Sequence, residues 1–276
     1  MPTAQEFLAQ GDPQAALAAL QQQVRAHAAD PKLRVFLFQL LCVLGQWQRA
    51  LDQLQVCGEL DAGTLAMVNT YRPALQCEAV REAVFDGKVL PHVFGQPQAW
   101  VALLAQALQA DAQGDPHTAA RLRESAFEQA PASAGMLDDR HFEWLADADS
   151  RLGPVFEVII NGRYGCLPMA NLAQIDLEPP ADLRDLVWAP AHLVFANGGE
   201  TVALLPVRYS GTAAQADGAL RMSRKTEWLA LGDGPSGPQY RGLGQRLLAT
   251  GEFETGLLEV RQIRFDIAPA ADAAAD

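Results

Sequence analysis

Gly11-Asp12-Pro13-Gln14-Ala15-Ala16 returns 34 residues later as Gly45-Gln46-Trp47-Gln48-Arg49-Ala50, and 69 residues beyond that as Gly114-Asp115-Pro116-His117-Thr118-Ala119. Recurrence at a fixed period, here once and then at about its double, marks a chain assembled from stacked units that cannot bury their apolar faces alone. The chemistry of the hexapeptide says what the unit is. Glycine accepts the left-handed backbone that ends a helix. The alanine five residues on lets a second helix pack closely against the first. In the third copy Ala126 and Pro131 fall where such a unit needs a small residue and a stop.

A period near 34 is that of tetratricopeptide helix pairs. Apolar residues at three- and four-residue spacing predict helices over Glu6 to Leu20, Lys32 to Leu44, Arg49 to Leu60, Pro73 to Phe85, Gln98 to Ala112 and Thr118 to Gln129. The character changes at Pro131-Ala132-Ser133-Ala134-Gly135, which reads as a linker. Beyond it, Val155 to Ile160 runs through Asn161-Gly162 into Arg163 to Leu167, a strong hairpin signal. His192 to Phe195, Val202 to Tyr209, Thr226 to Leu231, Arg246 to Ala249 and Leu257 to Phe265 read as further strands, with short helices over Asp138 to Ala148 and Ala181 to Leu186 and a loop over 232–238. The expected fold class is α+β: an N-terminal all-α tetratricopeptide-like repeat domain (1–132), an α+β domain with a mostly antiparallel sheet (136–267), and a flexible Ala/Asp-rich tail (268–276).

Charge narrows the partners. The chain has 33 acidic against 21 basic residues, a net charge of -12, which repels nucleic-acid phosphates and anionic membranes. Its longest apolar stretch, Val35 to Leu44, is interrupted by Gln39 and is far shorter than the roughly 20 residues a membrane span needs. The opening Met1 to Glu6 lacks the basic start and apolar core of an export signal, so a cytoplasmic location is expected. Cys42, Cys57, Cys77 and Cys166 are scattered, with no Cys-x-x-Cys, and read as reduced buried thiols.

The search for chemistry returns little. No two of the five histidines have zinc-ligand spacing. Gly242-Leu243-Gly244 is only half of a dinucleotide fingerprint, and Ser236 sits in no nucleophile elbow. One polar cluster remains. Asp147, Asp149 and Glu157 could hold a cation or perform acid–base chemistry, or else pair with arginines such as Arg151, Arg163, Arg184 and Arg208 to fix the geometry of the domain. An Asp-x-Asp without the glycine and terminal glutamate of a calcium loop favours the structural reading. No catalytic, cofactor-binding or metal-binding residue is expected.

Several motifs together carry a resemblance. They are Trp144-Leu145-Ala146-Asp147-Ala148-Asp149-Ser150-Arg151-Leu152-Gly153-Pro154, Gly162-Arg163-Tyr164, Leu183-Arg184-Asp185-Leu186-Val187-Trp188, Pro206-Val207-Arg208-Tyr209 and Lys225-Thr226-Glu227-Trp228. The stretches Glu78-x-x-Arg81-x-x-Val84-Phe85-x-Gly87 and Gly242 to Leu248 also fit. On these residues the chain resembles the ImpE/TagJ family of type VI secretion accessory proteins over roughly residues 5–266. The resemblance implies a non-catalytic factor that binds the N-terminal helix of the sheath small subunit TssB and influences sheath disassembly by the ClpV ATPase. Cys166 departs from the aromatic residue expected after Gly162-Arg163-Tyr164.

Stacked helix pairs leave a concave groove that accepts a helix or peptide. The first helix of each pair usually lines it, which makes Phe38, Leu41, Trp100 and Leu104 the expected partner contacts. Two other functions stay open at this stage: a hydrolase or metal-dependent enzyme built on Asp147, Asp149 and Glu157, and a structural protein that self-associates. The oligomeric state is not written in the sequence.

Overall fold

The computed structural model of the chain describes residues 2–96 and 98–266. Five helices open it: α1 (Ala4–Ala9), α2 (Pro13–Ala26), α3 (Pro31–Val43), α4 (Trp47–Leu60) and α5 (Leu65–Phe85). The recurring hexapeptide does what its chemistry requires. Gly11, Gly45 and Gly114 all have positive φ (84°, 67° and 77°). Asp12 caps α2 by accepting from the Ala15 N–H at 2.8 Å, and Pro13 sits in the first turn, where its missing N–H costs nothing. Ala16, Ala50 and Ala119, five residues after each glycine, are completely buried.

Two helix boundaries differ from expectation. The segment Glu6 to Leu20 is two helices, because Gly11-Asp12-Pro13 ends one and caps the next. Pro73, expected to start a helix, lies inside α5, which begins at Leu65. A proline there forfeits one backbone bond, and packing of the helix against its neighbours offsets that loss.

Strand β1 (His92–Val93) follows, then α6 (Ala99–Ala112) and α7 (Pro116–Gln129). This explains the doubled spacing between the second and third copies of the hexapeptide. The long α5 and β1 occupy the place of a missing repeat, and α6–α7 form a separate pair around Ala107, Ala110 and Ala119.

The second half is built from β2 (Gly135–Leu137), β3 (Arg140–Phe142), β4 (Ala146–Asp147), β5 (Val155–Ile160), β6 (Arg163–Pro168), β7 (Leu172–Leu177), β8 (Trp188–Phe195) and β9 (Glu200–Pro206). After a short α8 (Gly218–Arg221) come β10 (Thr226–Gly234), β11 (Gly237–Gly244), β12 (Leu247–Ala249), β13 (Glu254–Gly256) and β14 (Gln262–Phe265). A nine-stranded sheet runs β1-β6-β5-β9-β8-β7-β14-β2-β3, antiparallel throughout except where β1 joins β6. β10 and β11 form a separate hairpin, and β13-β12-β4 a small third sheet.

Asn161 and Gly162, both at positive φ (50° and 73°), make the tight turn between β5 and β6. The helix expected over Asp138 to Ala148 is strand and turn instead. Asp138 takes φ 49°, and its carboxylate accepts from the Arg261 and Gln262 N–H groups, which draws the segment alongside β14. The helix expected over Ala181 to Leu186 is a single 3₁₀ turn, Leu183–Leu186. The expected loop at 232–238 is the closed end of the β10–β11 hairpin, paired as far as Gly234 and Gly237. The expected tail, 268–276, lies outside the described residues.

Alternation along β5 sets the architecture. All six of its residues are buried. Phe156, Val158 and Ile160 face a core enclosed by the sheet, with Leu167, Ile175, Leu193 and Ile263. Ile159 faces the opposite way, into a core shared with α1–α5, where Tyr164, Trp188 and Leu204 also meet Phe38, Leu41 and Tyr71. Around residue 132 the chain changes from mainly helix to mainly strand, while one apolar core spans both sides of that point.

Candidate functional site

Glu157 projects from the same face of β5 as Ile159, towards the helices, and is 1% exposed. A carboxylate there needs partners, since an unpaired buried charge costs several kcal/mol or more. Arg81 of α5 donates to it twice, from Nε to Oε1 at 2.7 Å and from Nη2 to Oε2 at 3.0 Å. The Tyr164 hydroxyl donates to Oε1 at 2.7 Å, and Arg246 donates to Oε2 through Nη2. Burial pushes the Glu157 carboxyl up, but Arg81 and Arg246 together outweigh it and hold the group down at about 2.

Arg246 is shared. Its Nη1 donates to Asp147, which also accepts from the Tyr209 hydroxyl at 3.0 Å and the Asp149 N–H at 2.8 Å. Asp147 is fully enclosed. Burial is the larger influence and raises its carboxyl to about 6 against the pull of Arg246. Asp149 is gripped by Arg151, whose Nη2 lies 2.6 Å from Oδ2, and accepts from the Gly242 N–H at 2.9 Å. One chain of hydrogen bonds thus joins α5, β4, β5, β6 and the segment after β11.

Of the residues expected to form a motif network, the structure gathers Asp147, Asp149, Arg151, Glu157, Tyr164 and Tyr209 at this centre. Trp228 leans on the Tyr209 ring at 5.7 Å. Gly153 leaves room for the Phe127 ring of α7, and the Pro154 carbonyl accepts from the Met169 N–H. Arg208 takes another role: it donates to the carbonyls of Cys42 and Val43 at the end of α3, and to that of Arg221. Burial lowers it to about 10. Arg184 and Asp185 form a second cluster beside Tyr71. Asp185 accepts the Ala181 and Asp182 N–H groups. Trp188 is fully buried and donates to Glu78 at 2.8 Å. Lys225 bridges Asp217 and Glu227 at the surface, and Thr226 donates to the Gln245 carbonyl. Arg163 and Trp144 are exposed and lie outside the network.

The arginines anticipated for Asp147 and Glu157 are corrected here. Arg163, Arg184 and Arg208 do not reach them; Arg81 and Arg246 do. Both stood in quoted motifs, and their signal was the charge itself: a buried arginine must find acceptors, which for these two are carboxylates and for Arg208 backbone carbonyls.

Phe38, Leu41, Trp100 and Leu104 are at most 4% exposed. Phe38 packs edge-on against Tyr71, while Trp100 and Leu104 pack with Leu152, Val155 and Tyr209. The concave face they were expected to open to a partner is filled by the chain's own sheet, with Trp188 lodged between Trp47 and Tyr71. These four residues pack the core.

Three carboxylates this enclosed and saturated by guanidinium groups act as a structural interlock. Among the described residues no group of three His, Cys, Asp or Glu side chains is arranged to hold a metal ion, and no helix is long and apolar enough to cross a membrane.

Fold and interlock together define a class: a tetratricopeptide-type helical stack closed against a mostly antiparallel sheet through buried ion pairs. Residues 139–264 match the family model described as ImpE protein, and residues 7–66 match a tetratricopeptide repeat model. The type VI secretion system accessory component TagJ of Pseudomonas aeruginosa is 53% identical over 263 residues, covering 95% of this chain and 91% of that protein. The chain belongs to the ImpE family of type VI secretion accessory components. The crystal structure of protein VPA1032 from Vibrio parahaemolyticus has the same fold, with a TM-score of 0.85 over 95% of this chain and 97% of that one, at 22% identity.

Proposed function

We propose that this chain is a non-catalytic, cytoplasmic adaptor of a type VI secretion system that binds the N-terminal helix of the sheath subunit TssB and modulates sheath disassembly by ClpV. The observation that carries the reading is 53% identity to a TagJ component over 95% of the chain. The enclosure of Asp147, Asp149 and Glu157 supports the non-catalytic part, because a base or nucleophile must reach its substrate.

The test pairs the purified chain with TssB from the same secretion cluster, intact and lacking its first helix. Calorimetry is expected to give saturable binding to the intact subunit alone. Adding the chain to contracted sheaths with ClpV and ATP is expected to change the rate of sheath loss. Equal binding to both forms of TssB would remove the helix from the reading, and no binding would remove the partner.

A further inference from the structure

Away from the helix pairs' buried face, the molecule has an open concavity on the sheet. α5 and the outward face of β5, β8 and β9 leave between them an open cleft of roughly 880 Å³. Ile159, Pro190, Val202 and Leu204 give it an apolar floor. Val202 is 71% exposed, more than any other large hydrophobic side chain among the described residues, although β9 is an interior strand of the sheet. Asp176 and Glu178 line the cleft, and its lining contains no lysine or arginine. Glu200 adds a third carboxylate beside it, 3.2 Å from His192.

The floor is a sheet face, not a sheet edge. β8 lies between β7 and β9, and β9 between β8 and β5, which it meets at Ile159–Leu204, so an extended segment laid on this face would find no ladder to join. A helix satisfies its own backbone and needs only side-chain contacts. Apolar floor and acidic rim together call for a helix with an apolar stripe and basic flanks.

We propose that this cleft is the docking site for an amphipathic helix whose apolar stripe covers Val202 and whose lysines or arginines meet Asp176 and Glu178. The assignment rests on the adaptor reading and locates its surface.

The test uses the full chain, Val202→Arg and Glu178→Lys. Both positions are exposed, so melting temperatures should stay at the wild-type value. Two probes are titrated by fluorescence anisotropy: a synthetic leucine–lysine peptide of helical period, and its leucine–glutamate twin. The wild type is expected to bind the basic peptide, more weakly as salt rises, and to ignore the acidic one. Val202→Arg should weaken binding by about tenfold or more, as a charge at the centre of a contact does. Glu178→Lys should weaken it less and flatten the salt dependence. Binding that is indifferent to Val202→Arg overturns the assignment. Intact TssB is then titrated into the same proteins. If it binds wild type and Val202→Arg alike, the cleft is wrong and the adaptor reading stands. If it binds neither while the basic peptide still senses Val202, the cleft stands and TssB is not its occupant.

Discussion

Glu157 shows most directly what a single side chain does here. Two guanidinium groups and a phenol converge on it. Glu157→Gln keeps the shape and removes the charge, leaving Arg81 and Arg246 buried without full compensation. The expected cost is about 3–5 kcal/mol, measured by urea denaturation. An enzyme built on this residue would instead stay folded and lose turnover. The pH response follows from signs. Glu157 sits near 2, below its ordinary 4.5, so its contribution is complete above about pH 4.5 and is lost as pH falls towards 2. Asp147 is raised to about 6 from 3.8, so the folded chain takes up its proton first, and this group adds stability as pH falls from 6 towards 4. Thermal melts at successive pH values should therefore show a mid-acid gain, absent in Asp147→Asn, before the acid loss due to Glu157. Both carboxylates were visible as a cluster in the sequence. Their partners were not, because Arg81 and Arg246 lie 76 and 89 residues from Glu157 and only folding brings them together.

Among elements, the β5–β6 hairpin is the joint between the two halves. Gly162 occupies positive φ, and a Cβ added there would lie 2.9 Å from the Pro73 Cβ on α5. Gly162→Ala therefore combines backbone strain with a displaced helix. It should lower stability by about 1–2 kcal/mol, seen as a reduced denaturation midpoint at unchanged slope. The hairpin itself was legible, since Asn-Gly between apolar runs has one good solution. So were the helix pairs, whose glycine, cap and alanine act within a few residues. The segment Asp138 to Ala148 was not. Its local pattern suits a helix, and only the bonds from Arg261 and Gln262 to Asp138 select a strand.

Across the whole molecule, the shared core makes the halves interdependent. Trp188 lies in the sheet half, packs between Trp47 and Tyr71 of the helical half, and is completely buried. Trp188→Ala is expected to cost about 3–5 kcal/mol and to shift one cooperative transition reported equally by helical and aromatic circular dichroism. A fragment of residues 1–132, deprived of Ile159, Trp188 and Leu204, should fail to give a dispersed amide NMR spectrum. The sequence by itself determined the repeat, the helix-to-strand change, the acidic surface and the family, since each rests on residues close together in the chain or on motifs read in order. Tertiary structure alone decided that the sheet fills the repeat groove, which arginines neutralise which carboxylates, and that an acidic-rimmed cleft stays open above Val202. Those outcomes depend on which distant faces meet, and the period of a pattern tells that a face is apolar without telling what will cover it.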